Sequence, residues 1–202
     1  YVYPSQQADV TVSWTDGTGT KNTNQQTLEA NRVSVIDLGS VPKSATGLTI
    51  SATEPVTAAA KVTNDGDGDQ ADFALVNASV PMNVSAIAVP DHATAQVSVT
   101  NTSDDDRTAT LTSYNGDGDI VEQRDLTIRA GASTTIELAD INDGDVAAVS
   151  LADPDQSMVW NIRVSQKDVS DAKLAGVSII GATDLKEARE QVWSNQNMTI
   201  VR

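Results

Sequence analysis

The stretch Met158-Val159-Trp160-Asn161-Ile162-Arg163-Val164 decides the fold class. Its even-numbered residues are apolar, while Asn161 and Arg163 fall on the other side. This is the period-two pattern of a strand with one buried face. Trp160 is in phase with Ile162 and Val164 and therefore reads as core rather than as an exposed platform. A stretch of the same phase lies roughly 100 residues earlier, a domain-sized period, at Val56, Ala58, Ala60 and Val62.

Working outward, the order of elements repeats as well. In the second half, Thr110 to Tyr114 reads as a strand and Asn115-Gly116-Asp117-Gly118 as a turn. Strands follow at Leu126-Thr127-Ile128, at Thr134 to Leu138 after Ala130-Gly131, and at Val149-Ser150-Leu151. In the first half, Thr11 to Trp14 precedes Asp16-Gly17-Thr18-Gly19, and Leu28 matches Ile128. Ala30-Asn31 stands for Ala130-Gly131, Ile36-Asp37-Leu38 for Ile136-Glu137-Leu138, and Leu48-Thr49-Ile50 for Val149-Ser150-Leu151. Short strands divided by Gly, Asn and Asp turns point to β-sandwiches. The expectation is an all-β chain of two tandem immunoglobulin-like β-sandwich modules, residues 1–71 and 72–202.

The polar, Gly-rich run Asn64-Asp65-Gly66-Asp67-Gly68-Asp69 marks the join. Phe73 to Val76, Ala86 to Val89 and Val97-Ser98-Val99 then lead into the second module. The first module shows no counterpart of Val97-Ser98-Val99, so its N-terminal strand is expected to be missing or supplied elsewhere. The tail carries a similar strand at 198–201, a candidate for strand-mediated association. One short C-terminal helix is expected, with Asp184 and Glu187 as a capping box and Leu185, Ala188 and Val192 on one face.

Composition narrows the partners. The chain of 202 residues holds 28 acidic and 13 basic residues, a net charge of −15. Phosphate backbones and anionic lipid surfaces select clustered Lys and Arg, so nucleic acid is not an expected partner. Aromatic residues make up only 3% of the chain, and there is no cysteine. No run approaches the ~20 apolar residues of a membrane-spanning helix.

No residue pattern indicates catalysis, and the chain is not expected to be an enzyme. The single histidine, His92, sits in the turn Pro90-Asp91-His92, and no Gly-x-Ser-x-Gly elbow is present. Asp65, Asp67 and Asp69 place three hard oxygen donors at alternate positions, a candidate Ca²⁺ site at the inter-module loop. Gln70 and Val76 stand where an EF-hand needs Gly and Glu, and the same run also reads as a plain solvated loop. No other cofactor is implied. Asp117 and Asp119 read as hairpin residues. Trp193, near the end of the expected helix, is the candidate ligand-contacting aromatic, whereas Trp14 continues the alternation of Val10 and Val12 into the core.

Val99-Thr100-Asn101-Thr102-Ser103, Arg107 to Tyr114, Gly116-Asp117-Gly118 and Leu126 to Leu138 together carry a resemblance. So do Ala130-Gly131-Ala132-Ser133 before Glu137-Leu138, with Asp37-Leu38 in the first copy. They resemble the β-sandwich repeats of a secreted or membrane-anchored actinobacterial protein family of unknown function. The first copy departs from the pattern at Glu29-Ala30-Asn31-Arg32. The resemblance implies a chain that is secreted or anchored on the outer face of the cell membrane, with no known activity. A non-catalytic structural or adhesive module at the cell envelope is the expected function, its partner a surface protein or glycan. The alternative is a carbohydrate-binding module, which needs exposed aromatics on one sheet face or at the loops.

Overall fold

The computed structural model describes residues 1–39, 42, 44–64, 72–90, 94–141, 145–165 and 177–184. Within them the chain is built of antiparallel strands, with a single 3-10 turn at Leu138–Asp140. Val2–Pro4 (β1), Val56–Asn64 (β5) and Asp72–Asn77 (β6) form one three-stranded sheet, in the order β1-β5-β6. Ala8–Asp16 (β2), Gly19–Leu28 (β3) and Gly47–Ala52 (β4) form another, in the order β3-β2-β4. The remaining strands are Val84–Ala88 (β7), Thr94–Asn101 (β8), Arg107–Tyr114 (β9) and Ile120–Ile128 (β10). They continue with Ser133–Glu137 (β11), Ala148–Ala152 (β12), Met158–Ser165 (β13), Val177–Gly181 (β14) and Thr183–Asp184 (β15). These make a five-stranded sheet, β10-β9-β12-β7-β15, and a four-stranded one, β11-β8-β13-β14.

Pairing registers coincide between the halves. Val12 opposes Ile50 as Leu111 opposes Leu151. Val2 opposes Ala58 as Val99 opposes Trp160. The bridge between Val2 and Ser34 repeats the pairing of Val99 with Thr134. β1 therefore matches the Val99–Asn101 end of β8, the strand for which the sequence showed no first-half counterpart. β6 pairs with β5, so the strand just after position 71 extends a sheet of the first half.

The turns repeat for the same physical reasons. Asn31 and Gly131 both take left-handed φ values, 58° and 62°. Glycine has no Cβ to clash there, and asparagine is among the few other residues that tolerate it. At the two hairpins an Asx side chain organises the loop. Asp16 Oδ1 accepts from Thr18 N at 2.8 Å, and Asn115 Oδ1 accepts from Asp117 N at 3.1 Å and Asp119 N at 2.9 Å. The second hairpin thus forms where Asn115-Gly116 indicated, but the positive φ falls on Gly118. A five-residue loop between the strands replaces the tight two-residue turn.

Two hydrophobic cores result, each between a pair of sheets. Among the described residues, the second contains seventeen buried apolar residues, among them Val97, Val99, Leu111, Val149, Leu151, Trp160 and Ile162, against five in the first: Val2, Ala8, Val10, Val12 and Leu28. Trp160 is core, as its phase required, at 2% exposure. Its indole N–H crosses the core and donates to Ser85 Oγ at 2.7 Å, joining β13 to β7 of the opposite sheet. Trp14 is half-buried.

Buried polar side chains tie the second half's turns. Asn101 is fully buried, and its Nδ2 donates to the carbonyls of Asp105, Ile128 and Arg129 at 2.8, 3.0 and 3.1 Å. Its Oδ1 accepts from the backbone N–H and hydroxyl of Ser103. Asp153, also fully buried, accepts from the amides of Ser157 and Met158 at 2.6 Å each. Pro4 holds the position corresponding to Asn101, so the first half has no such side-chain clamp there.

The halves meet end to end. Thr15 Oγ1 donates to Ser133 Oγ at 3.0 Å, and Thr46 Oγ1 lies 2.6 Å from the same hydroxyl. Gly47 sits in this junction, where an added Cβ would stand 2.5 Å from Thr15 Oγ1, 2.6 Å from Thr100 Oγ1 and 3.1 Å from Ser133 Cβ. β14 also lies alongside β6, in a separate sheet.

The expected C-terminal helix and the 198–201 strand lie outside the described residues, apart from Asp184, which is in β15.

Two outcomes follow for stability. Asn101→Ala leaves buried carbonyls without a donor and should cost about 2–4 kcal/mol in urea unfolding, since each orphaned buried group costs roughly 1–3 kcal/mol. Gly47→Val overpacks the junction and should cost about 1–3 kcal/mol by the same measurement. A Gly47→Val chain as stable as the native one would mean that the two halves do not touch there in solution.

Candidate functional site

The faces of the β1-β5-β6 sheet follow from its register. Val2, Pro4 and Ala74 point inward and are buried. Tyr1 exchanges backbone hydrogen bonds with Ala59, and Tyr3 opposes Thr57. Lys61 opposes Leu75, and Ala59 opposes Asn77. Opposed residues share a face and the period is two, so Tyr1, Tyr3, Thr57, Ala59, Lys61, Leu75 and Asn77 all lie on the outer side.

A neighbouring segment widens this face. Ser34 bridges Val2 and shares its inward side, which turns Val33 and Val35 outward beside the tyrosines. Of the eight large hydrophobic residues exposed among those described, five belong here. They are Tyr1 (46%), Tyr3 (39%), Val33 (61%), Val35 (67%) and Leu75 (59%). Scattered exposed apolar residues need no explanation, but five gathered on one sheet face make it the candidate surface. The Tyr3 hydroxyl donates to Asn31 Oδ1 at 3.2 Å, which anchors the ring edge while leaving apolar area open.

Elsewhere the surface holds a polar groove. A groove of about 530 Å³ lies near the junction of the halves, between Gly17, Asp125, Thr127, Arg129, Ser133 and Thr134. Asp125 is the one acid in its lining, and Thr110 Oγ1 donates to its carboxylate at 2.8 Å. Carboxylate-based glycoside cleavage requires a facing pair of acids, and this lining supplies one.

Asp65, Asp67, Asp69 and Trp193 lie outside the described residues, as does His92. Asp117 and Asp119 stand in the hairpin loop on the exposed surface. Among the described residues, no three His, Cys, Asp or Glu side chains converge to hold a metal ion. No described helix is long and apolar enough to cross a membrane.

Strand alternation alone does not connect Tyr1 and Tyr3 with Val33, Val35 and Leu75. The signal was the comparison of the copies position by position. Where the first half has Tyr1, Tyr3 and Val35 facing outward, the second has Ser98, Thr100 and Thr135. The first copy is thus apolar in both phases of the alternation, a pattern that single-strand reading assigns to no face.

No curated protein and no solved structure matches the chain. A family model does match residues 1–139, more than half its length. That match spans the whole first half and the second through β11, including both hairpins, the paired left-handed turns at Asn31 and Gly131, and the Tyr/Val face; the chain belongs to the family of unknown function DUF5719.

Proposed function

We propose that this chain is a non-catalytic structural or adhesive module of the cell envelope, acting outside the cytoplasm, whose binding surface is the outer face of the β1-β5-β6 sheet. The observation that carries this reading is the gathering of Tyr1, Tyr3, Val33, Val35 and Leu75 on that face. Tyrosines flanked by aliphatic residues, with Thr57 and Asn77 as polar neighbours, have the composition of a protein-docking surface. Among the described side chains on the outer side of β1, β5 and β6, Lys61 is the one that is charged, in a chain of net charge −15. A face with little charge on an otherwise acidic molecule suits a partner that buries apolar area.

The second reading, a carbohydrate-binding module for cell-wall or host glycan, draws on the same two tyrosines. Their rings lie on one side of β1 and could stack on sugar rings. The aliphatic neighbours favour protein, because glycan sites surround their aromatics with hydrogen-bonding groups.

Retention of the purified chain on intact cell walls, on their protein-stripped residue and on a polysaccharide panel, each with and without calcium, separates the readings. Docking to a surface protein predicts retention on intact walls that is lost after protein removal. It also predicts weakening of about tenfold or more by Tyr3→Ala or Val35→Asp, the scale of a truncated hot-spot residue. Retention on purified polysaccharide, lost with Tyr3→Ala, would select the glycan reading. Retention that neither substitution changes would remove this face from the account. A calcium requirement abolished by Asp67→Ala would assign a role to the inter-module acids.

A further inference from the structure

We infer that the Tyr3–Val33 corner of this face receives the Tyr114 end of a second copy of this chain, so that copies stack head to tail; the inference rests on the face being the docking surface. The junction between the two halves is the template. There the end of the first sandwich, at Thr15, Thr46 and Gly47, sits on the outward side of β8 and β11 in the second, at Thr100 and Ser133. The β2–β3 hairpin follows it onto the adjoining turn. An added Cβ at Gly17 would stand 3.9 Å from the Ser133 carbonyl oxygen, and one at Gly19 3.9 Å from that of Ala130.

Each side of this junction has a counterpart in the other half. Thr15 opposes Gly47 as Tyr114 opposes Ala148. The Thr46 N–H donates to the Thr15 carbonyl as the Ala147 N–H donates to that of Tyr114, at 2.8 Å in both. Val2 pairs with Ala58 and Ser34 as Val99 pairs with Trp160 and Thr134, so Tyr3 and Val33 hold the places of Thr100 and Ser133. The second half thus carries a presenting end at Tyr114, Ala147 and Ala148. The first carries a receiving corner at Tyr3 and Val33.

Burial shows what such a junction covers. Thr100 and Ser133 point away from their own core yet are 6% and 1% exposed, because the first half lies on them. Their counterparts Tyr3 and Val33 are 39% and 61% exposed. Thr15 is buried in the junction, whereas Tyr114 is half-buried. The chemistry changes in step on both sides. Within the chain hydroxyls meet, Thr15 and Thr46 on Ser133. Between copies Tyr114, Ala147 and Ala148 meet Tyr3 and Val33, apolar on apolar. Ala148 and Tyr3 are larger than Gly47 and Thr100, so the copies stand further apart than the halves do. The two surfaces are unlike, so the contact does not close on itself and repeats from copy to copy. Each copy carries a net charge of −15, so repulsion opposes stacking and salt favours it by screening.

Sedimentation of the full chain, from micromolar to millimolar and at low and high salt, tests this. The mean mass is expected to climb with concentration past the dimer, and more steeply at high salt. Val33→Asp and Tyr114→Asp should each weaken association about tenfold or more, the scale of a lost hot-spot residue. Ala147→Asp takes the place of Tyr114→Asp if the amide spectrum shows that the latter disturbs the fold. A mixture of the Val33→Asp and Tyr114→Asp chains should form dimers and stop there, since each brings the surface that the other lacks. A chain monomeric at millimolar concentration in high salt, a mass that levels at the dimer, or a mixture that does not associate would overturn the inference. If the chain stays monomeric while Tyr3→Ala still weakens retention on cell walls, the docking face stands and its occupant is not a second copy.

Discussion

The indole N–H of Trp160, donated to Ser85 Oγ across the core, is the contact around which the second half closes. It joins β13 of one sheet to β7 of the other, and both partners are buried. A buried indole without an acceptor is penalised, so the bond requires β7 to lie beside β12 with Ser85 turned inward. With β7 in place, Ile87 covers Val149 on the inner face of the five-stranded sheet. Among the described residues, seventeen buried apolar side chains make up that core.

The first half follows the same plan without that contact. Its pairings share the register of the second, yet Ala58 replaces the tryptophan, Pro4 replaces Asn101, and β4 ends its sheet among the described residues. Apolar content that the second half spends on its core appears outside in the first, at Tyr1, Tyr3, Val33, Val35 and Leu75. One copy is thus organised for stability and the other presents surface. A duplicated sandwich allows this division, because the closed copy keeps the chain folded while the open one is free to bind.

Much of the fold was legible from the chain alone, and the reason is physical. Strand alternation at Met158–Val164 and the Leu48/Val149 and Leu28/Ile128 matches reflect inward-facing positions that no register slip can preserve. The turn at Ala130-Gly131 and its counterpart at Ala30-Asn31 were equally visible, while the left-handed φ at Gly131 and Asn31 came from the structure. Less legible were features set by neighbours in space. β1 is three residues long, too short to show alternation, and only its pairing with Ala58 identifies it. Val33 and Val35 look like core residues until the Val2–Ser34 bridge turns them outward. The Tyr/Val face could be found only by aligning the copies and asking which outward positions differ. The inter-module acids and Trp193, chosen for their chemistry, fall outside the described residues and have no part in the geometry on which the proposed face rests.

The most direct test of this division between a closed and an open copy is native-state amide hydrogen exchange of the free chain. The account predicts that Val97, Val99, Leu111, Val149, Leu151 and Ile162 exchange only through the largest openings. It predicts that Val10, Val12 and Ile50 exchange at least about tenfold faster, a difference of roughly 1.4 kcal/mol in opening free energy. Equal protection of the paired positions Val12 and Leu111, and of Ile50 and Leu151, would contradict it.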